Sequence, residues 1–216
     1  MKDYQELINK FPNSFDTRNQ IIEYLEKYWL EKTELVNTWV KIKSTIFKGN
    51  YTSYPDGLLN DNFNIMIIKG GPLFGRDDFE QLRRCMKVTG DIYFVLLEDY
   101  DEDNPPDNLP PSTGLINWPP LRFKFPADIT FDEIMSGDFV SAEVFDCPVR
   151  DYFIFGDSGL WGIYAGDDFE TPLQIIGFKK EYSGLFHRNI KISKEDIEDL
   201  KEWTASLGMK FPDATR

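Results

Sequence analysis

The chain has 216 residues, of which 41% are hydrophobic and 15% aromatic, and this composition supports a folded core and argues against disorder. Its formal net charge is −13, and residues 98–170 account for it with 17 acidic residues against three basic ones. Such a charge disfavours nucleic acids and anionic membranes as partners, because phosphate binding needs clustered lysine and arginine. No apolar run approaches the roughly 18 residues that span a bilayer. The first residues also lack the apolar segment of a secretory signal, so we expect a cytoplasmic protein.

The first predicted element is one long helix over residues 17–47. Apolar residues recur every three or four positions between Ile21 and Ile46, and Gly49 follows as a stop signal. The apolar stripe is too wide for the seam of a coiled coil, which favours a core helix. The alternative is a helix through which the chain associates with itself, as a weak dimer rather than a monomer.

A βαβ unit is predicted next. Residues 63–69 and 92–97 have the continuous apolar pattern of buried strands, and residues 77–88 between them have a helical pattern that ends at Gly90. A strand, a helix and a second strand within about 35 residues predict a parallel strand pair.

The segment 98–120 interrupts this pattern with six acidic residues, no basic residue and six prolines. Proline stiffens such a segment and like charges extend it, which predicts a connector. We therefore expect a single α+β domain over 1–216, with a lobe at 1–97 and a second lobe at 121–216 as the alternative organisation.

The second half of the chain predicts an antiparallel sheet. Tight turns at 156–159 and 165–168 separate short strand patterns, which is typical of a meander. A capping-box sequence at Ser193 begins a closing helix, and Gly208 can end it. The fold class is α+β, with N-terminal helices, a central βα unit and a C-terminal antiparallel sheet closed by a helix. The predicted strands are 121–125, 139–145, 152–155, 160–164 and 173–178, with a single helical turn at 131–135.

No catalytic, metal or cofactor motif withstands inspection. The GDSG segment at 156–159 resembles the nucleophile segment of trypsin-like proteases, but the single histidine, His187, lies downstream of it, and a hairpin turn explains the segment better. The acidic run 99–103 lacks the glycine and glutamate of a calcium loop. The glycine-rich segment 70–75 lacks the lysine of a phosphate loop, so we expect a structural turn and no bound cofactor or metal.

The two cysteines, Cys85 and Cys147, match no metal or redox spacing. We expect two reduced, partly buried thiols, as is usual in the cytoplasm, and one disulfide between them is the alternative.

The aromatic segment 151–168, DYFIFGDSGLWGIYAGDD, is the most distinctive part of the sequence. Its alternating aromatic residues predict one face of a core hairpin, and a ligand groove is the alternative. Both interpretations hold together if the hairpin buries one face and offers its acidic turns to a partner.

This segment, the later LQIIGF strand and the acidic composition resemble small acidic bacterial proteins, among them immunity proteins of polymorphic toxin systems. The resemblance covers about residues 120–180. It implies a non-catalytic cytoplasmic protein that binds and blocks a toxin domain. An acidic face suits that task, since it can occupy the basic cleft of a nuclease and exclude its substrate.

We therefore predict that residues 98–170 present one acidic surface to a basic protein partner. The alternative is a carboxylate-based or metal-assisted hydrolase, which would need converging carboxylates in a pocket and a raised pKa or a bound cation. The predicted partner-binding residues are Asp157, Trp161, Tyr164, Asp167, Asp168, Asp99, Asp101 and Asp103.

Overall fold

The computed structural model describes residues 4, 15–49, 57–69, 75–99, 121–136, 151–166, 173–206, 208 and 210–212, with side chains from residue 19 onward in the first helix. Most of the predicted connector and the predicted strand at 139–145 lie outside the described residues.

The framework of the protein is a six-stranded sheet in which every neighbouring pair is antiparallel, in the order β1-β6-β5-β4-β2-β3. This confirms the predicted α+β class. Strands from both sides of the connector belong to this one sheet. The strands are β1 Phe63–Lys69, β2 Tyr93–Glu98, β3 Arg122–Pro126, β4 Tyr152–Gly156, β5 Trp161–Gly166 and β6 Leu173–Lys179.

Helices cover both faces of the sheet. None of those in the described part of the chain combines the length and apolar character needed to cross a membrane. The helices are α1 Phe15–Tyr28, α2 Lys32–Glu34, α3 Val40–Ile46, α4 Arg76–Thr89, α5 Phe131–Ile134, α6 Ser183–Asn189 and α7 Lys194–Ser206, with a π-helical turn at Leu35–Trp39 and a 3-10 turn at Lys180–Tyr182.

The core lies on both faces of the sheet, because side chains of a strand alternate between faces. In β2, Phe94 and Leu96 join the larger apolar cluster, with α1, α4 and α6. Val95 and Leu97 join a second cluster, which the segment around α3 covers. Burial on both faces explains the continuous apolar runs of these strands.

The predicted helix over 17–47 is wrong as a single element, because α1 ends at Tyr28 and α2 begins at Lys32. Between them, Leu30 N–H donates to the carbonyl of Arg122 at 3.1 Å, and Arg122 Nε donates to the carbonyl of Leu30 at 2.7 Å. Backbone groups that pair with β3 are withdrawn from the helical hydrogen-bond ladder. Neither proline nor glycine marks this break in the sequence.

The predicted parallel pair is also wrong. β1 and β2 point in the same direction, but β6, β5 and β4 lie between them, and each of the two pairs only with antiparallel neighbours. The helix between them is confirmed as α4, and Gly90 ends it with a left-handed φ of 79°.

The C-terminal half follows the prediction closely. Consecutive strands β4, β5 and β6 form the expected meander. Helix α7 begins at Lys194, and the hydroxyl of Ser193 caps it by accepting the Asp196 N–H at 3.0 Å. α7 packs through Leu200 against Ile67 of β1, next to one edge of the sheet. Helix α6 was not predicted from the sequence.

Candidate functional site

The two ends of the sheet carry different chemistry. At one end β2 finishes and β4 starts, so Glu98 is paired with Tyr152, and Asp99 and Asp151 lie beside them. We call Glu98, Asp99 and Asp151 the acidic end. The hairpin turn 157–160 lies at the other end, which we call the turn end. Six residue steps along β4 at about 3.3 Å each separate the two ends by roughly 20 Å.

The predicted partner-binding residues divide between these ends. Asp157 and Trp161 lie at the turn end, while Tyr164 and Asp99 lie at the acidic end. Trp161 and Tyr164 are buried on opposite faces of the sheet. Buried side chains do not contact a partner, so the core-hairpin interpretation describes these two aromatic residues. The remaining four, Asp101, Asp103, Asp167 and Asp168, lie outside the described residues.

The described carboxylates of segment 98–170 do not form one continuous surface. Two of them are on α5, where Asp132 pairs with Arg76 at 2.9 Å and Glu133 lies 3.7 Å from Lys27. Others are at the acidic end or at the turn end, and the expectation of a single patch therefore fails for this part of the chain. The seven are Glu98, Asp99, Asp128, Asp132, Glu133, Asp151 and Asp157.

Asp151 organises the acidic end. Its carbonyl accepts the Asp99 N–H at 2.7 Å, and its carboxylate accepts a hydrogen bond from the Tyr164 hydroxyl. The carboxylate of Glu98 accepts the Leu121 N–H at 2.7 Å. These contacts hold neighbouring strand ends together and leave the Asp99 side chain exposed.

One lysine lies close to these acids on the sheet face that α3 covers. Lys43 Nζ is 3.4 Å from the centroid of the Phe153 ring. Burial lowers the pKa of Lys43 to about 8, and the negative charge of Asp99 partly opposes that change. The acidic end therefore includes an amine that loses its charge at mildly alkaline pH.

At the turn end, Asp91 is a buried carboxylate with three donors. It accepts the Trp161 indole N–H at 2.7 Å, the Ser158 backbone N–H at 2.9 Å and the Thr89 hydroxyl. A Cβ at Gly156 would lie 2.1 Å from an oxygen of Asp91, so glycine is required for this close approach. Asp91 ties the hairpin to the start of β2.

Asp157 makes a second connection between the same elements. Its two carboxylate oxygens accept the backbone N–H groups of Ile92 at 3.0 Å and Tyr93 at 3.2 Å. Burial raises the pKa of Asp157, and the negative charge of the nearby Asp91 adds to that increase. The GDSG segment is thus a structural turn, as predicted. His187 lies on α6, where its Nδ1 hydrogen-bonds with Ser183.

A groove of about 690 Å³ opens beside this turn. Glu80 and three basic residues of α4 form one wall, residues 91–93 form the floor, and residues 126–128 form the opposite wall. Sequence reasoning missed this groove. The available signal was the cluster RRCMKV, followed by an isoleucine directly after the predicted end of the helix.

Comparison of the chain with protein-family models, with curated proteins and with solved structures finds no match. No group of three or more histidine, cysteine, aspartate or glutamate side chains suited to a metal ion occurs among the described residues.

Proposed function

We propose that the chain is a non-catalytic acidic binding protein that captures a basic protein partner at the acidic end. The observation that supports this most directly is the adjacency of Glu98, Asp99 and Asp151 on neighbouring strand ends. The hydrogen bonds of Glu98 and Asp151 tie neighbouring strand ends together, so the backbone that carries the three acids is held in place before a partner arrives.

Three acidic segments of the sequence are attached to strand ends at the acidic end. Residues 100–120 join the ends of β2 and β3, residues 137–150 lead into β4, and residues 167–172 join β5 to β6. In sequence these three segments hold ten acidic residues and one basic residue. The strand pairing puts the end of β2, the starts of β3 and β4, and the junction of β5 with β6 at the acidic end. Each of the three segments is covalently attached to at least one of these strands there.

A localised negative field has two effects on a basic partner. It speeds encounter at low salt, and it competes with anionic substrates for the same cationic surface. Both effects suit an immunity-type inhibitor that covers the basic cleft of a toxin domain, which is the function implied by the resemblance of residues 120–180. Binding of this kind weakens as salt shortens the Debye length.

A carboxylate-based hydrolase is the second candidate, since the raised pKa of Asp157 beside a groove is a property of general acids. However, both oxygens of Asp157 accept backbone N–H groups, and both oxygens of Asp91 accept protein donors. These occupied oxygens favour a turn-anchoring role for the pair over proton transfer to a substrate.

Charge reversal tests the binding proposal. The probe to measure is a lysine decapeptide, which represents the cationic surface of a basic protein partner. The test variant carries Asp99→Lys, Asp101→Lys and Asp167→Lys. The matched control carries Glu23→Lys, Glu181→Lys and Glu202→Lys, three exposed acids on other elements with the same change in net charge.

Titration calorimetry at low and moderate salt distinguishes the outcomes. We expect the test variant to bind at least about tenfold more weakly and with a shallower salt dependence, while the control keeps most of its affinity. An equal loss of affinity in the two variants would show that overall charge drives binding, and it would refute the acidic end as the binding site. Failure of the unaltered chain to bind any basic protein would refute the function.

A further inference from the structure

The groove at the turn end contains two cations, Arg84 and Lys87, that pair with no residue the structure describes. On the same helix, α4, Arg76 pairs with Asp132 and Arg83 pairs with Glu80 at 2.7 Å. Arg84 and Lys87 are exposed, and neither has a hydrogen-bond or ion-pair partner within the described part of the chain. They are three residues apart, so they lie on neighbouring turns of one helix face, about 5–6 Å apart at Cβ.

The same region exposes apolar surface. The described residues include five large apolar side chains that are exposed, and three of them lie together in sequence, Val88 at 60%, Ile92 at 67% and Tyr93 at 40%. Ile92 and Tyr93 line the groove with Pro126 of β3. Exposed large apolar side chains that cluster in a concave surface are a mark of binding sites.

The floor of the groove is held rigidly. Asp157 binds the N–H groups of Ile92 and Tyr93, and the Ile92 carbonyl accepts the Ala127 N–H at 2.8 Å. The Tyr93 carbonyl accepts the Asp157 N–H at 3.0 Å. A preformed floor loses little conformational entropy when it binds a ligand.

We propose that this groove binds an acidic peptide segment of a partner protein in which a large apolar side chain stands beside carboxylates. Arg84 and Lys87 would pair with the carboxylates, and Ile92 and Tyr93 would contact the apolar side chain. A volume of about 690 Å³ falls within the range of roughly 300–1,000 Å³ for ligand sites and accommodates a few side chains.

The charge distribution selects a short acidic peptide over a long polyanion. Glu80, Asp91 and Asp128 also line the groove, and together with a net charge of −13 for the whole chain they repel any anion in proportion to its charge, so an extended phosphate backbone is disfavoured more than a peptide with few carboxylates. Two local cations are sufficient for two carboxylates, whereas nucleic-acid binding rests on many phosphate contacts.

The probe is a fluorescein-labelled peptide, GEDLFEDG, followed by fluorescence anisotropy. We expect micromolar binding to the full chain. The variant Arg84→Glu with Lys87→Glu should bind about tenfold or more weakly, and Ile92→Ser should bind about threefold or more weakly. The matched control is Lys41→Glu with Lys194→Glu, which changes two exposed lysines on other helices and gives the same net charge. Thermal unfolding verifies that each variant is folded.

Four results would overturn the proposal. The first is no binding of the probe below about 1 mM. The second is an equal loss of affinity in the groove variant and in its matched control. The third is equal binding of a peptide in which serines replace the leucine and the phenylalanine. The fourth is tighter binding to RNA or to vesicles of equimolar phosphatidylcholine and phosphatidylserine than to the peptide. The charge-reversal variant at the acidic end leaves this groove intact. Failure of the proposed binding at the acidic end therefore does not decide whether the groove binds an acidic peptide, and the reverse also holds.

Discussion

Removal of the Asp91 carboxylate is expected to destabilise the protein strongly. Asp91→Ala leaves two donors, the Trp161 indole and the Ser158 N–H, without their acceptor, while the Thr89 hydroxyl can still donate to the carbonyls of Cys85 and Met86 at 3.1 Å. An unsatisfied buried donor costs about 1–3 kcal/mol, and donors that share one acceptor do not add fully. We therefore expect a loss of roughly 3–5 kcal/mol from a total stability of about 5–15 kcal/mol.

Urea unfolding, followed by circular dichroism, measures this loss. Asp91→Asn keeps one carbonyl acceptor and should cost less, about 1–3 kcal/mol. Asp128→Ala, which removes an exposed carboxylate on the far wall of the groove, is the matched control and should stay within about 0.5 kcal/mol of the parent.

A double-mutant cycle isolates the bond between Asp91 and Trp161. Trp161→Phe removes the indole donor, and its combination with Asp91→Asn should show a coupling energy of about 1–2 kcal/mol. A loss below about 1 kcal/mol for Asp91→Ala, or coupling indistinguishable from zero, would refute the claim that this carboxylate anchors the hairpin.

Three further predictions concern packing and ionisation. Gly162→Ala places a Cβ 2.6 Å from a phenylalanine ring and should lower the unfolding free energy by about 1–3 kcal/mol, whereas Gly184→Ala, with open space in α6, should not lower it. Burial raises the pKa of Cys85 to about 12, so in a Cys147→Ser background the thiol should react with Ellman's reagent only after unfolding. The pKa of Lys43 is lowered to about 8 from 10.5, so the unfolded chain binds more protons between these values. Stability should therefore rise with pH over that window relative to Lys43→Met, as measured by urea unfolding at several pH values.

The elements that the sequence predicted correctly are those whose signals are local. In α4, Phe79, Leu82 and Met86 lie on one face, and Gly90 follows as the cap. The apolar runs of β1 and β2 and the meander from β4 to β6 were equally clear, because each strand carries its own alternation or burial pattern. Cys85 is a free thiol and is fully buried, where the sequence predicted a partly buried one, and Cys147 lies outside the described residues.

The errors concern long-range pairing. The helical pattern over 17–47 continues through Trp29 and Leu30, yet these residues pair with β3, more than 90 positions away. Likewise, the order strand, helix, strand within residues 63–97 carries no information about β4, β5 and β6. These three strands come later in the chain and lie between β1 and β2 in the sheet.

The candidate sites show the same difference between local signals, which the sequence reveals, and long-range contacts, which it does not. A count of charges located the acidic segment, but its described carboxylates are separated by the length of β4 and partly paired with Arg76 and Lys27. The role of Asp91 could not be predicted, because its partner Trp161 lies 70 residues away. The groove likewise depends on how α4 lies against the end of β3.

The amino-acid sequence by itself determined the class of the fold, most of its helices and strands, and the concentration of negative charge in one third of the chain. Hydrophobic periodicity, capping residues and charge act between near neighbours, and they can be recognised without coordinates. The order of the strands, the break after α1 and the separation of an acidic end from a turn end with a groove were decided only by the tertiary structure. Each depends on which distant backbone and side-chain groups satisfy one another's hydrogen bonds and fill one another's space.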